Sequence, residues 1–171
     1  AERLYRADDL LLASHIDADG ITSAAIGSTA LARAGLSHEV VFKKQLDETE
    51  IERIAARDQE TVLFTDFGSG QLDTIAEHEA DGSFEPVVVD HHQPADATTD
   101  YHMNPLLVGL DGASELSGAG TTYALARSLA AAGDRTAARP VTDGGVAANR
   151  DLAALAVVGA VAIAATVAGF P

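Results

Sequence analysis

The chain of 171 residues contains no cysteine, and this absence excludes a whole group of sites. Without thiols the protein can form no disulfide bond, no thiolate metal site and no cysteine nucleophile. Any metal ion must therefore be held by carboxylate and imidazole groups. A chain of this length is sufficient for one well-packed domain, and we expect a single domain over residues 1–171.

Lysine is scarce as well. Lys43 and Lys44 are the only lysines, and 26 acidic residues against 11 basic ones give a formal net charge of −15. Acid-rich, lysine-poor composition is typical of proteins adapted to molar salt, so we expect a halophilic source; the alternative is an ordinary acidic cytosolic protein. This charge repels nucleic acid at low salt, but in molar salt the Debye length is only about 3 Å. Net charge therefore does not exclude a nucleotide substrate.

Several familiar segments are also missing. There is no G-x-G-x-x-G after the first predicted strand and no P-loop lysine, so neither type of nucleotide-binding loop is indicated. No signal peptide opens the charged stretch "AERLYRADDL", which predicts a cytoplasmic protein. Residues 152–170 carry no charge over the length of a membrane span, yet alanine dominates them. We expect a buried core helix there, and no membrane.

Short apolar runs alternate with helical patterns along the chain. Four runs predict strands, at residues 10–16, 39–42, 61–65 and 87–89. Helices are predicted over 21–34, over 47–57, up to about residue 80, over 117–132 and from 151 onwards, with a polar connector at 135–149. Asp47, with Glu50 three residues later, predicts a capping box. The alternation predicts an α/β fold with a mainly parallel sheet of about five strands and helices on both faces.

Acids and histidines follow three of these strands. They are His15, Asp17 and Asp19 after the first, Asp66 after the third, and Asp90, His91 and His92 after the fourth. Because the carboxyl ends of parallel strands meet at one edge, where open α/β sheets bind ligands, we expect a shared cleft. Clustered carboxylates repel one another, and bound cations remove that cost. The thiol-free set suits Mn²⁺ and permits Mg²⁺, Co²⁺ or Zn²⁺. Its size indicates two ions about 3.5–4 Å apart that share a carboxylate and clamp a phosphoryl group.

Each of these residues also has a plainer structural interpretation. Asp19 could be a helix N-cap, Asp66 a turn residue and His15 a satisfied core histidine. Taken singly, each residue favours the plainer interpretation. The combination at one edge of the sheet is what favours a metal site.

The motifs, in this order, resemble those of the DHH phosphoesterase superfamily, named for the triplet that stands here as Asp90-His91-His92. The matching segments are "SHIDADG", "TDFG", "VVVDHHQP" and "YHMNPLLVGLDGASELSGAGTTYALARSL", the last of which is similar to archaeal RecJ-like members. The resemblance extends over about residues 10–160. It implies a DHH-type catalytic domain that hydrolyses phosphodiesters with Mn²⁺ or Mg²⁺, as a RecJ-like exonuclease acting on single-stranded DNA or short oligonucleotides.

The resemblance also implies roles for the individual residues. His15 and Asp17 would hold one ion, Asp19 and His91 the other, and Asp66 would bridge them. Of the catalytic set Asp66, Asp90, His91 and His92, Asp90 would orient an imidazole and His92 would contact the phosphate. The nucleophile would be water activated by the ions. Asn104, Gly118 and Gly120 would lie near the substrate phosphate, with close packing at a helix start as the alternative for the glycines.

Two departures from the family pattern leave other functions open. RecJ-like proteins place a further metal-binding aspartate near the position that Ile163 occupies here. Nothing in this sequence resembles the family's C-terminal substrate-binding domain with its Gly-Gly-Gly-His motif, since Gly144 and Gly145 are followed by Val146. We therefore expect a catalytic half that is either reduced or a fragment. The alternatives are a small-molecule phosphodiesterase for cyclic dinucleotides or nucleotide bisphosphates, and an inactive scaffold that binds a replication or repair protein.

Overall fold

The computed structural model describes residues 1–133 and 146–167. Most of the connector predicted at 135–149, including Gly144 and Gly145, lies outside these residues.

One sheet of five parallel strands forms the centre of the fold, in the order β2-β1-β3-β4-β5. The strands are β1 (Leu10–His15), β2 (His38–Lys43), β3 (Thr61–Thr65), β4 (Glu85–Val89) and β5 (His102–Met103). The four predicted strands are confirmed, with small changes at their ends. The fifth, β5, has only two residues, which is too short to produce a detectable pattern.

In the described residues, six α-helices connect or flank the strands. They are α1 (Glu2–Tyr5), α2 (Ala18–Arg33), α3 (Glu48–Ala55), α4 (Leu72–Asp81), α5 (Gly118–Gly133) and α6 (Ala153–Val167). Short 3₁₀ segments cover Ser69–Gln71, Pro105–Val108 and Val146–Leu152. The first helix is a single turn that the sequence patterns did not predict.

Successive side chains of β1 enter two different cores, as the period of two in a strand requires. Leu10 and Leu12 pack with buried residues of α2 and α5. Leu11 and Ala13 pack on the opposite face with buried residues of α3 and α4. The sheet therefore carries helices on both faces, which confirms the predicted α/β architecture.

The last helix corrects one expectation. α6 lies against α2 and α5 as an outer layer, and Val157, Val158 and Val161 are 62%, 56% and 60% exposed. The prediction of a buried core helix is therefore wrong for this face. In the described part of the chain, no helix has both the length and the apolar character needed to cross a membrane.

The predicted capping box is half formed. Asp47 accepts a hydrogen bond from the backbone N–H of Glu50 at 2.9 Å, so it caps α3. The Glu50 carboxylate does not complete the box, because it pairs with Lys43 at 2.5 Å and with Arg53. A neighbouring cation has replaced the return hydrogen bond of the box.

Candidate metal centre

Asp66 is the central residue of the cluster at the carboxyl edge of the sheet. It directly follows β3, and its backbone N–H donates to the carbonyl of Val89 at the end of β4. Its φ of 62° is in the left-handed region, which a non-glycine residue adopts only at some cost and aspartate tolerates better than most. The side chain is 1% exposed, and while the His91 imidazole is neutral, its Oδ1 atom has no hydrogen-bond donor among the described residues. A buried carboxylate oxygen without a donor indicates that something else satisfies it.

Two histidines point ring nitrogens toward Asp66. His91 Nε2 lies 3.2 Å from Asp66 Oδ1, and His15 Nδ1 lies 3.9 Å from Asp66 Oδ2 and 3.0 Å from Asp17 Oδ2. The other ring nitrogens donate to backbone carbonyls, His91 Nδ1 to Gly112 at 2.6 Å and His15 Nε2 to Lys44 at 3.0 Å. In its neutral form, each imidazole would therefore present a lone pair to the carboxylates. This is the orientation that metal-binding histidines adopt.

Asp17 and Asp19 occupy different positions within one helical turn. Asp17 caps α2, because its Oδ1 accepts the N–H of Gly20 at 2.9 Å, and its other oxygen faces His15. Asp19 is buried and accepts the N–H groups of Gly118 at 2.8 Å and Ala119 at 3.0 Å, at the start of α5. The N-cap interpretation of Asp19 is therefore wrong for its own helix. Its Oδ2 atom lies 3.7 Å from His91 Nε2.

The potential ligands form two overlapping groups, the first with His15, Asp17 and Asp66 and the second with Asp66, Asp90, His91 and His92. Within each group, one nitrogen or oxygen atom per residue lies within 4.8 Å of the others. Asp66 belongs to both groups, and Asp19 approaches the second through His91. The donor set of carboxylates and imidazoles fits divalent ions such as Mn²⁺.

The pKa values of Asp66 and His91 without a cation also favour a metal site. Burial raises the pKa of Asp66 to about 7. The hydrogen bond and charge of His91 act to lower this pKa, and the negative charges of Asp19 and Asp17 act to raise it. Burial lowers the pKa of His91, but its hydrogen bonds to Asp66 and Gly112 outweigh this and raise that pKa to about 9. The pair therefore retains protons near neutral pH, and a bound cation would replace them.

Asp90 differs from the other acids because its oxygens are already occupied. It is fully buried; Oδ1 accepts from the N–H groups of His91 and His92 at 2.7 and 3.3 Å, and Oδ2 accepts from Ser69 N–H at 2.9 Å. His92 Nδ1 lies 2.8 Å from Oδ1. Burial acts to raise the pKa of Asp90, but these bonds and the His92 charge hold it at about 2. This permanent carboxylate fixes His92, whose side chain is 55% exposed.

The predicted substrate contacts are occupied within the chain. Asn104 is 4% exposed; its Nδ2 donates to Ser69 Oγ and to the His92 carbonyl, both at 2.9 Å, while its Oδ1 accepts from Leu106 N–H at 2.9 Å. The Gly118 N–H is used by Asp19, and a Cβ at Gly118 would lie 2.1 Å from Asp66 Oδ1. Close packing therefore accounts for the glycine. Substrate contact by these residues stays a prediction.

Gly120 is also at the start of α5, but the atoms nearest to the position that a Cβ would occupy there belong to no candidate metal ligand. Its N–H donates to Ser117 Oγ at 3.2 Å, and a Cβ there would lie 2.6 Å from a methyl carbon of Leu116. The residue is therefore packed against its own loop.

Three groups that orient the candidate site residues were not predicted from the sequence. Ser69 supports Asp90 with its N–H and contacts His102 Nε2 with its hydroxyl at 2.9 Å. The other two are the backbone carbonyls of Lys44 and Gly112, which fix the tautomers of His15 and His91. Backbone carbonyls leave no side-chain signature. Ser69 did offer one, since it lies between two glycines directly after "TDF".

A cleft and a smaller recess, both lined by described residues, reach the cluster. A cleft of about 480 Å³ is lined by residues that include His15, Lys44, Asp66 and His92. A smaller recess of about 190 Å³ is lined by Asp17, Asp19, Asp66 and His91, and on its far side by Ala162 and Ile163 of α6. Ile163, at the position where a further acid was expected, thus borders the recess with an apolar side chain.

The chain is similar in sequence or in fold to several known proteins. An uncharacterized protein of Methanocaldococcus jannaschii is 30% identical over 122 residues, which cover 67% of this chain and 27% of that protein. The Mn²⁺ complex of RecJ from Thermus thermophilus superposes with a TM-score of 0.68 at 24% identity, over 92% of this chain and 22% of that one. An exonuclease RecJ bound to manganese superposes with a TM-score of 0.59 at 22% identity, over 99% of this chain and 50% of that one. At these identities the likeness to the solved structures is one of fold, and the chain spans half or less of each relative.

A family match decides the classification. Residues 10–159 match the DHH family, N-terminal domain. The matched segment contains all five strands and all seven acids and histidines at the edge of the sheet. The chain belongs to the DHH family, and it has the fold of the domain found in RecJ.

Proposed function

We propose that this protein is a metal-dependent phosphodiesterase that uses two divalent ions, of the RecJ-like type that degrades single-stranded DNA or short oligonucleotides. The environment of Asp66 carries the proposal. Its carboxylate is buried and shared by two groups of potential ligands. One of its oxygens has no hydrogen-bond donor among the described residues unless His91 is protonated. A structural carboxylate would be expected to accept hydrogen bonds, as Asp90 does.

The residues divide between two ions with Asp66 in common. His15 and Asp17 would hold one ion, and Asp19 and His91 the other. Mn²⁺ is the ion that we propose, with Mg²⁺ as a second possibility, because the donors are oxygen and imidazole nitrogen. When bound, such ions supply a water nucleophile at neutral pH and stabilise negative charge on the phosphoryl oxygens.

The chain's own groups orient the site and supply a proton donor. The hydrogen bonds to the carbonyls of Lys44 and Gly112 orient the rings of His15 and His91, so that their other nitrogens would be available to hold the ions. Asp90 holds His92, and this hydrogen bond raises the pKa of His92 above its usual value. The Nε2–H of protonated His92 can therefore donate to a phosphate oxygen or to the leaving group. No serine or cysteine nucleophile is required.

The proposed substrate class rests on likeness of fold. Two solved structures with this fold are RecJ proteins that contain manganese, and one is described as an exonuclease. The cleft beside Asp66 is open and contains polar side chains, which suits a nucleotide better than an apolar ligand.

An inactive scaffold that binds a replication or repair partner is a second candidate, and Ile163 favours it. This side chain supplies no ligand where it lines the recess beside Asp19 and His91. A scaffold would not need metal, so the two functions predict different responses to metal removal.

Hydrolysis assays on matched substrates test the proposal. We would incubate the protein in molar KCl with Mn²⁺ and either end-labelled single-stranded DNA or a cyclic dinucleotide, beside the Asp66→Asn variant. Stepwise, Mn²⁺-dependent shortening of DNA that Asp66→Asn abolishes is the expected result. Hydrolysis of the dinucleotide alone would move the protein to small-molecule substrates. Turnover that survives Asp66→Asn would rule out the mechanism.

A further inference from the structure

We infer that the cleft beside the metal centre binds the nucleotide adjoining the scissile phosphate, and that Lys44 pairs with the next phosphate of the substrate. The inference rests on the proposed function and adds a feature of the substrate that the proposed function does not specify. It requires a substrate with at least two phosphate groups separated by one nucleoside.

The distribution of charge around the site is the first argument. Lys44 is the only lysine or arginine among the described residues that line either the cleft or the recess. The chain has a formal net charge of −15, and the centre itself contains four aspartates. A substrate with several phosphates therefore meets repulsion at this edge unless a cation faces it.

The partner of the neighbouring lysine is the second argument. Lys43 pairs with Glu50 at 2.5 Å, so its charge is already neutralised within the protein. Lys44 has an exposed side chain and no ion pair with a described residue. Of the only two lysines in the sequence, the one without an acidic partner lines the cleft.

The position of Lys44 is fixed by its backbone. Its carbonyl accepts the hydrogen bond from His15 Nε2 at 3.0 Å, so the residue is tied directly to a potential metal ligand. Asp47 lines the same cleft, but one of its oxygens is engaged in capping α3. Gln45 and Gln71 add uncharged polar groups to the walls.

The size of the cleft suits one nucleotide. Its volume of about 480 Å³ is in the range of about 300–1,000 Å³ typical of small-ligand sites. Asp66 and His92 line the same space, so a phosphate at the metal centre would place the adjoining nucleoside within it. The phosphate on the far side of that nucleoside would then be the group that meets Lys44.

Dinucleotides with and without a terminal phosphate provide the test. We would measure KM and kcat with Mn²⁺ for thymidine dinucleotides that carry no terminal phosphate, a 5′-phosphate or a 3′-phosphate. In the wild type, one of the two terminal phosphates should lower KM about fivefold, the scale of an exposed ion pair. Lys44→Ala should lose this advantage, so that its KM is the same with and without the terminal phosphate.

Lys43→Ala is the matched control, because it removes the same charge one residue away. It should keep the advantage of the terminal phosphate, and Lys44→Arg should keep it as well. Equal effects of Lys43→Ala and Lys44→Ala would overturn the inference, since they would indicate general charge attraction.

The failure of this inference can be told from the failure of the proposed function. If the wild type hydrolyses dinucleotides and Lys44→Ala retains the phosphate advantage, only the role of Lys44 is wrong. If the wild type binds Mn²⁺ but hydrolyses no phosphodiester, the proposed function fails and the inference fails with it.

Discussion

His91 Nε2 lies 3.2 Å from Asp66 Oδ1, and both side chains are buried. The neutral imidazole has its proton on Nδ1, which donates to Gly112. A lone pair and a carboxylate oxygen therefore face each other at contact distance. Something positive must lie between them, either a proton on His91 or a cation held by both residues.

Binding of Mn²⁺ should accordingly depend on pH. The raised pKa values of Asp66, about 7, and His91, about 9, mean that protons occupy the pair at neutral pH. A cation needs ionised Asp66 and neutral His91, so affinity should rise from about pH 6 to about pH 9 with release of protons. Calorimetry in buffers of different ionisation enthalpy would count the protons. An affinity that stays constant across this range would contradict the expected competition.

Asp66→Asn should separate stability from metal binding. The folded-state pKa of Asp66 is raised, so its ionisation destabilises the protein as pH rises above the unfolded value of about 4. Asparagine removes that charge and tolerates the left-handed backbone. At pH 8 without metal, the variant should gain about 1–3 kcal/mol in the free energy of unfolding, measured with urea.

The same variant should lose the stabilisation that Mn²⁺ gives the wild type. Asp66→Ala is its control, because alanine also removes the charge but fits the left-handed backbone poorly. A metal-free Asp66→Asn protein that is less stable than the wild type would argue that the carboxylate is structural.

Gly118→Ala should impair the centre without altering any ligand. A Cβ at this position would lie 2.1 Å from Asp66 Oδ1, so α5 or Asp66 would have to move. We expect a loss of about 1–3 kcal/mol in stability and at least about tenfold weaker Mn²⁺ binding. Gly70→Ala is the control, since the nearest atom to its Cβ would be at 3.9 Å. Thermal denaturation and calorimetry of both variants would measure the difference, and equal behaviour would contradict the steric argument.

Ile163→Asp should strengthen the binding of a second ion. Ile163 borders the recess beside Asp19 and His91, and a carboxylate there would add an oxygen ligand. We expect at least about tenfold tighter binding of the weaker ion, together with lower stability without metal because acids are crowded. Val161→Asp places the same charge on an exposed position of α6 and should change neither. Calorimetric titration with Mn²⁺ would resolve the two binding steps.

The sequence was sufficient to locate the edge of the sheet where the site lies. The runs before His15, Asp66 and Asp90 are apolar and short, which identifies buried parallel strands. Parallel strands bring their carboxyl ends together, so residues 75 positions apart in the sequence could be expected in one cleft. Local pattern and simple topology carried that prediction.

The remaining details depend on contacts that no local pattern encodes. Asp19 binds the first N–H groups of α5, about 100 residues away, whereas its position in the sequence favoured an N-cap. Asn104 has a polar side chain in a loop, and only the tertiary structure reveals that Ser69 and His92 occupy it. The exposure of α6 was missed because a helix that is apolar all round can still lie in an outer layer.

The shared carboxylate of Asp66 has a consequence for the mechanics of the domain. Two ions that share Asp66, one held by His15 and the other by His91, would join the ends of β1, β3 and β4 and so act as a reversible crosslink across 76 residues. Crosslinks restrict the unfolded chain, and the conformational entropy that it loses increases with the length of the closed loop. Binding of the ions should therefore slow amide hydrogen exchange at all three strand ends at once, because the ends would open as one cooperative unit. The candidate metal centre would then also stabilise the edge of the sheet.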